Sequence, residues 1–169
     1  MRRIDKLIYH AITPPFLIAL TVFTFVVFVQ EFGRLSELFI TRNASVEVIA
    51  IDPEGSVFFD YFHSGVMTEP GAYLLEGLGD EEIIGCPDFE LIDDMYRVSD
   101  RQAFRAARGL ARREAILAGG SSGAALWGVR RLAAGLDRPA RIVTIFPDSG
   151  TRYLSTIFND HWMKSKGLL

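Results

Sequence analysis

An uncharged apolar run from Ala11 to Val29 constrains this 169-residue chain more than any other feature. A helix of roughly 20 residues crosses a hydrocarbon core of about 30 Å, because each residue adds about 1.5 Å. Pro14 and Pro15 weaken the start of this helix, since proline removes a backbone donor. The run therefore predicts one transmembrane helix over about residues 15–32, which would contact membrane lipid.

Two other interpretations of the run are a signal peptide and a buried core helix. A signal peptide should end in small residues at its cleavage site, but Phe28, Val29, Gln30 and Glu31 stand at the end of the apolar run instead. A core helix should carry a polar face, whereas this one offers only Thr21 and Thr24. Basic residues precede the run, so the positive-inside rule predicts a single-pass protein of the inner membrane with a cytoplasmic N-terminus.

Residues 1–45 resemble the first segment of the lipopolysaccharide-export permeases, the LptF/LptG family. The Ile4-Asp5 pair, the Pro14-Pro15-Phe16 entry and the helix from Leu35 to Ile40 carry this resemblance. It implies that residues 1–45 form a permease-like domain, and that permease subunits are partners of the chain.

From Val46 onward the chain has the pattern of an α/β protein. Val46 to Ile51 is β-branched and apolar, which predicts a buried strand that ends at the turn Asp52-Pro53-Glu54-Gly55. Ser99 to Gln102 has the form of a capping box, and the apolar spacing after it predicts a helix to about Glu114.

A second helix is predicted from near Ser122 to Gly135, which suits a helix C-terminus. Arg141 to Phe146 predicts another buried strand, followed by the turn Pro147-Asp148-Ser149-Gly150. The order of strands and helices predicts an α/β fold in which helices pack on a mostly parallel sheet.

The loop from Ala118 to Gly123 is the most chemically suggestive local feature. Glycines let the backbone approach a ligand, and the helix that follows supplies free N–H groups. A tight turn with a helix cap is the alternative interpretation of the loop. A phosphate-binding P-loop is not expected, because no Gly-Lys-Ser or Gly-Lys-Thr follows.

Residues 46–169 resemble the C-terminal part of cystathionine β-synthase and its relative cysteine synthase. The matching pieces occur in the same order and are IAIDPEGSVFFDYFHSG, YLLEGLGDE, YRVSDRQAF, LAGGSSGAAL, IFPDSGTRYLSTIFNDHWM and KGLL. The resemblance implies a fold-type-II pyridoxal-phosphate enzyme of sulfur amino-acid metabolism, which replaces the β-substituent of serine or an activated serine with a thiol.

The same resemblance implies which residues contact the pyridoxal 5′-phosphate. Ser121, preceded by Gly120, matches the serine that hydrogen-bonds the pyridine nitrogen. Gly77 and Gly79 match a loop that lines the active site, and Pro147-Asp148 matches a turn close to the ring nitrogen.

The lysines of the chain are Lys6, Lys164 and Lys166. The family's cofactor-binding lysine and phosphate loop precede the strand that corresponds to Val46–Ile51, so none of the three lysines matches. The resemblance therefore predicts a chain that is inactive on its own and that pairs with a separate lysine-bearing enzyme fragment. The alternative is a fragment of the permease family that carries an inert soluble remnant.

Other classes of partner are not expected. The net charge is −3 without a basic block, which argues against nucleic acid. Cys86 is the only cysteine and the three histidines lie far apart in sequence, so no metal site is predicted.

Overall fold

The structure is a computed structural model and describes residues 46–85 and 87–169. The predicted membrane helix over residues 15–32 and the permease-like segment over residues 1–45 lie outside the described residues. Within the described part of the chain, no helix combines the length and the apolar composition that a membrane crossing requires.

Two parallel strands form the sheet of the described fold. Strand β1 is Ile49–Pro53 and strand β2 is Asp94–Val98, and their register pairs Ile49 with Asp94 and Pro53 with Val98. The sequence predicts a strand over residues 46–51, whereas β1 starts and ends later. Asp52 fits inside the strand because its carboxylate accepts a hydrogen bond from the Phe59 amide at 2.9 Å.

One helix lies between the two strands, and the other three follow β2 along the described chain. Helix α1 is Phe58–Ser64, α2 is Asp100–Glu114, α3 is Gly120–Ala134 and α4 is Asp160–Ser165. Two short 3-10 helices lie at Phe89–Leu91 and Gly150–Tyr153.

The two long helices agree with the sequence-based predictions. The Ser99–Gln102 capping box is confirmed, since the Ser99 side chain accepts from the Gln102 backbone amide and the Gln102 side-chain oxygen accepts from the Ser99 backbone amide. Helix α2 ends at Glu114 as predicted, and α3 ends before Gly135 but begins two residues before Ser122.

Helices α2 and α3 pack closely because glycine lies at their contact. A methyl group on Gly123 would overlap the carbonyl oxygen of Ala103 and would lie 2.9 Å from the Cβ of Ala107. On another face of α3, a methyl group on Gly128 would overlap the side chain of Ile51 in β1. These contacts place α3 between the sheet and α2.

The hydrophobic core lies where α2, α3 and the C-terminal residues meet. Phe104 and Met163 are its largest fully buried side chains. Its buried members are Leu75, Val98, Ala103, Phe104, Ala107, Ala124, Ile157, Met163 and Leu168. Burial of this apolar surface stabilises the fold and fixes the first turn of α3.

The C-terminal helix α4 is held to α2 by a buried arginine. Arg108 of α2 is 7% exposed, donates to the Ile157 carbonyl at 2.8 Å, and forms an ion pair with Asp160. The hydrogen bond from Arg108 holds the pKa of the Asp160 carboxyl below its usual range. The contact fixes residues 157–160 next to the start of α3.

The sequence-based prediction of a buried strand over residues 141–146 is wrong for the described structure. These residues form no strand, and Val143 and Ile145 are 74% and 76% exposed. The physical reason is that β1 and β2 pair only with each other in the described residues, so no neighbouring strand satisfies the segment.

Asp52 provides a test of the fold through pH. The side chain is 2% exposed, and burial raises the pKa of its carboxyl despite hydrogen bonds from Ser56 and the Phe59 amide. An acid with a raised folded-state pKa contributes stability that is present below its unfolded pKa and is lost as pH rises through the folded pKa. The neutral variant Asp52→Asn does not lose this contribution.

We therefore expect the stability of Asp52→Asn relative to wild type to increase from about pH 3 to about pH 7. Urea denaturation of both proteins at the two pH values measures this difference. A difference that stays constant, or that falls as pH rises, would show that burial does not control this carboxyl.

Candidate functional site

Three stretches of chain meet at the start of α3. The Gly119 amide donates to the Asp148 carbonyl at 3.3 Å, and Ala118 forms an antiparallel bridge with Ser149. From the other side, the would-be methyl position of Gly120 lies 3.2 Å from the Leu75 side chain. Residues 74–80, 117–123 and 147–153 therefore form one site around the N-terminus of α3.

The loop from Glu76 to Asp80 is held in place at both ends. Before it, the Asp100 carboxylate accepts from the amides of Leu74 and Leu75 at 2.9–3.0 Å. After it, the Asp80 amide donates to the Ser56 hydroxyl at 3.1 Å. The loop is thus anchored to the first residue of α2 and to the turn that follows β1.

Both predicted glycines of this loop have a left-handed backbone. Gly77 has φ +72° and Gly79 has φ +75°, a region that side chains make unfavourable. A Cβ on Gly79 would lie 2.6 Å from Pro53, whereas no atom lies within 4 Å of a Cβ on Gly77. Gly79 is required by packing, while Gly77 leaves open space beside the loop.

A cleft of about 100 Å³ lies on one side of the Gly120 turn. Its polar groups come from Glu76, Tyr153, Thr156 and Trp162. The complete lining is Leu74, Glu76, Phe104, Gly120, Tyr153, Thr156, Ile157 and Trp162. The cleft therefore joins the glycine loop, the start of α3 and the C-terminal residues.

Asp148 and Tyr153 interact at this site. Burial raises the pKa of the Tyr153 phenol, and the Asp148 carboxylate beside it raises that pKa further. Tyr153 is therefore a neutral hydroxyl near pH 7, able to donate one hydrogen bond. On the other side of Asp148, its carboxyl group packs so closely on Gly119 that a methyl group there would overlap it.

Two buried polar atoms at the site have no hydrogen-bond partner among the described residues. They are Oγ of Ser122, whose residue is fully buried, and Oδ1 of Asp148. Buried polar atoms nearly always have a hydrogen-bond partner in proteins, so each of these two atoms indicates a place for a polar ligand atom or water. Gly119, the residue before α3, also leaves the first N–H groups without a side-chain cap.

The structure brings together most of the predicted site residues. Ser121 is half-buried at the second position of α3, next to the buried Gly120, and Asp148 lies against the same turn. Pro147 is exposed beside Asp148. Gly77 and Gly79 belong to the loop that contributes Glu76 to the cleft.

Three residues of the site, Tyr153, Ser122 and Trp162, are not among those predicted from the sequence. A signal for Tyr153 was present in the matching piece IFPDSGTRYLSTIFNDHWM, where it follows Asp148 by five residues. Ser122 differs from Ser121 only in which side of the helix it occupies, and a sequence pattern does not decide which hydroxyl is left unpaired.

The described residues include no cluster of His, Cys, Asp or Glu that could hold a metal ion. Lys164 and Lys166 are both exposed at the end of α4. The site thus consists of hydroxyls, a carboxylate, helix N–H groups and glycine turns, a donor set that fits the ring of a polar aromatic cofactor.

Comparison with known proteins identifies the class of protein to which this fold and site belong. Residues 32–148 match the family model described as pyridoxal-phosphate dependent enzyme. Because the match spans more than half of the chain, this chain belongs to that family.

Curated relatives narrow the class to proteins like cystathionine β-synthase and cysteine synthase. The chain is 36% identical over 136 residues to cystathionine beta-synthase of Apis mellifera, a match that covers 80% of this chain and 26% of the relative. It is 40% identical over 118 residues to N-(2-amino-2-carboxyethyl)-L-glutamate synthase of Ralstonia nicotianae, covering 70% and 33%. It is 38% identical over 114 residues to O-acetylserine dependent cystathionine beta-synthase of Bacillus subtilis, covering 68% and 35%.

The chain spans about a quarter to a third of the length of these relatives. It therefore contains a domain similar to part of a cystathionine β-synthase or cysteine synthase, and the family implies pyridoxal phosphate as the cofactor. The family match begins at residue 32, inside the segment assigned by resemblance to a permease. That resemblance, the membrane location and the permease partners stay predictions.

Proposed function

We propose that residues 46–169 supply the ring-nitrogen side of the cofactor site in a pyridoxal-phosphate-dependent β-replacement enzyme of sulfur amino-acid metabolism. The observation that carries this proposal is that Ser122 Oγ and Asp148 Oδ1 are each buried without a hydrogen-bond partner among the described residues, while the start of α3 has no side-chain cap. When bound, pyridoxal phosphate supplies an electron sink for bonds at the α- and β-carbons of an amino acid.

Ser121 would hold the pyridine nitrogen in this proposal. Its hydroxyl lies on the second residue of α3, and the residue is half-buried. A neutral hydroxyl can donate to a ring nitrogen without adding charge to the ring. The adjacent N–H groups of the first helical turn favour electron-rich atoms at the same place.

The glycine loop and the cleft would orient the rest of the ligand. Gly77 leaves open space where a side chain would otherwise project, and Glu76 and Tyr153 line the neighbouring cleft. The Glu76 carboxylate can accept a hydrogen bond, and the hydroxyl oxygen of Tyr153 can accept another. Leu74, Phe104 and Ile157 form the apolar part of the lining and reduce the water near these polar groups.

The two lysines that the structure describes lie away from the cleft. Lys164 and Lys166 are exposed on α4, and neither lines the cleft beside Gly120. A pyridoxal enzyme needs a lysine that binds the cofactor covalently. We therefore propose that these 169 residues have no β-replacement activity until a lysine-bearing polypeptide completes the site.

Cofactor binding by the full chain tests this function. Equilibrium dialysis against pyridoxal phosphate should show saturable binding that Ser121→Ala weakens about fivefold, since one hydrogen bond contributes roughly 1 kcal/mol. The matched control Ser155→Ala changes an exposed serine outside the cleft and should bind like wild type. No saturable binding, or equal binding by Ser121→Ala and wild type, would contradict the proposed contact.

Borohydride reduction followed by mass measurement tests separately whether Lys164 or Lys166 binds the cofactor covalently. Neither Lys164 nor Lys166 should carry a stoichiometric cofactor adduct in the full chain. A single stoichiometric adduct at either position would show that the chain has its own covalent anchor, and the predicted inactivity would be wrong.

A further inference from the structure

Ser56 does not line the cleft, yet its side chain bonds to the loop that does. The residue lies just after β1 and is 3% exposed. Its hydroxyl oxygen accepts from the Asp80 amide at 3.1 Å and from the Phe58 amide at 3.3 Å. One buried oxygen therefore joins the end of the glycine loop, residues 76–80, to the first residue of α1.

A second hydrogen bond strengthens the contact between Ser56 and the glycine loop. The Val57 amide donates to the Asp80 carbonyl at 3.1 Å, so both backbone groups of Asp80 are bonded to residues 56–57. The backbone of Gly79 also lies directly on this turn, because a Cβ there would be 2.7 Å from the Ser56 Cβ. These contacts fix the position and the direction of the chain as it leaves the glycine loop.

The glycine loop needs such contacts because its own sequence leaves it free to move. Gly77 and Gly79 both have left-handed backbones, and glycine loses more conformational freedom on ordering than any other residue. Contacts have to offset that loss of entropy. The side chains that bond to the backbone on either side of the two glycines are those of Asp100, before them, and Ser56, after them.

The order of the glycine loop bears on the cleft, since the loop contributes Glu76 to the lining. A loop that becomes ordered only when a molecule binds subtracts its entropy loss from the binding free energy. A loop that is ordered beforehand avoids this cost. Any residue that holds the loop therefore raises the affinity of the site, even from outside the cleft.

We propose that Ser56 is a positioning residue of the cofactor site, whose hydroxyl holds the glycine loop in the conformation that lines the cleft. This inference rests on the proposed function, because it assigns a further residue to that same site. The effect of Ser56 on the cofactor passes through Asp80 and the loop backbone, without direct contact.

Hydrogen exchange of the full chain without cofactor tests whether the hydroxyl holds the loop. Ser56→Ala removes the oxygen but keeps the Cβ on which the loop backbone packs. The Asp80 amide should exchange at least about tenfold faster in this variant, while the amides of Leu74 and Leu75 at the other end should change less than about twofold. Equal acceleration at both ends, or no acceleration at Asp80, overturns the proposal.

Ser64→Ala is the matched control for the loss of a serine hydroxyl. The Ser64 oxygen accepts the Val66 amide at 3.2 Å, as Ser56 accepts the amide two residues after it. Ser64 is exposed, and its hydroxyl bonds to Asp60 and Val66 instead of the glycine loop. This variant should keep the wild-type exchange rate of the Asp80 amide and the wild-type affinity for pyridoxal phosphate.

Equilibrium dialysis against pyridoxal phosphate connects the loop to binding. Ser56→Ala should bind about five- to tenfold more weakly than wild type, because the loop has to become ordered on binding. At saturating cofactor, its Asp80 amide should return to within about threefold of the wild-type exchange rate. Wild-type affinity despite a freed Asp80 amide, or weaker binding without this recovery, overturns the proposal.

Wild type alone gives a measurement that does not depend on how the variant folds. Its Asp80 amide should be protected at least about 100-fold before any cofactor is added, and an unprotected amide overturns the proposal. Saturable binding that Ser56→Ala leaves unchanged refutes the positioning role and leaves the cofactor site standing. No saturable binding by wild type refutes the cofactor site, and the exchange data alone then decide whether Ser56 holds the loop.

Discussion

Replacing Phe104 with alanine should lower the free energy of unfolding by about 3–5 kcal/mol, the largest effect that we expect from a single substitution. Phe104 is 1% exposed and is the largest fully buried side chain of the described structure. Its ring centroid lies 6.1 Å from that of Trp162, and its edge lies against Gly120. Alanine would leave a cavity between α2, the start of α3 and the C-terminal helix.

Urea denaturation followed by tryptophan fluorescence measures this loss, because Trp162 lies next to the substituted ring. Leu91→Ala is the control, since Leu91 is 67% exposed and its truncation should change the unfolding free energy by less than about 0.5 kcal/mol. A loss below about 1 kcal/mol for Phe104→Ala would mean that α2 and α3 do not share a tightly packed core.

The Phe104 variant also connects the core to the candidate site. Phe104 lines the cleft together with Gly120 and Tyr153, so the cavity would enlarge the cleft while leaving Ser121 and Asp148 unchanged. The variant therefore changes both the core and the shape of the cleft, because one aromatic ring belongs to both.

The features that depend on local interactions could be predicted from the sequence. The signals for helix α2 are local: the capping box of Ser99 and Gln102 lies at its start, and an apolar stripe follows within a few turns. The predicted end at Glu114 matches the structure. Helix α3 is likewise bounded by glycines, Gly119 before it and Gly135 after it. Such signals act over neighbouring residues and do not require knowledge of the rest of the fold.

The features that depend on distant partners could not be predicted in the same way. Residues 141–146 have the composition of a buried strand, but burial needs neighbouring strands that the described residues do not provide. The bounds of β1 also shifted, because the Phe59 amide satisfies the Asp52 carboxylate and allows it to lie in a strand. A local pattern gives the preference of a segment, and its partners decide the outcome.

The candidate site also combines local features, which the sequence predicts, with features that depend on distant contacts. The glycine turns and Ser121 carry sequence signals, and the structure places them at one end of α3 with Asp148. Tyr153 and Trp162 reach the cleft only because the Arg108 contacts hold Ile157 and Asp160 against α2. No sequence spacing encodes that contact, so the aromatic side of the cleft is visible only in three dimensions.

Two helix-interior glycines offer a matched test of how the site is built. Gly109 in α2 has no atom within 4 Å of a would-be Cβ, whereas a Cβ on Gly123 in α3 would overlap the Ala103 carbonyl. Alanine raises helix stability by about 1 kcal/mol relative to glycine in both places. Overpacking at Gly123 should cost about 1–3 kcal/mol in addition, or more where the backbone of α2 cannot move.

We therefore expect Gly109→Ala to raise the free energy of unfolding by about 0.5–1 kcal/mol and Gly123→Ala to lower it by up to about 2 kcal/mol. Denaturant titration of both variants measures the two changes, and their difference isolates the contact because the helix propensity term is shared. Gly123→Ala should also weaken pyridoxal phosphate binding, since moving α2 away from α3 displaces the turn at Ser121. Equal stabilisation by both substitutions would show that the two helices separate without cost, and the first turn of α3 would then not be fixed by this contact.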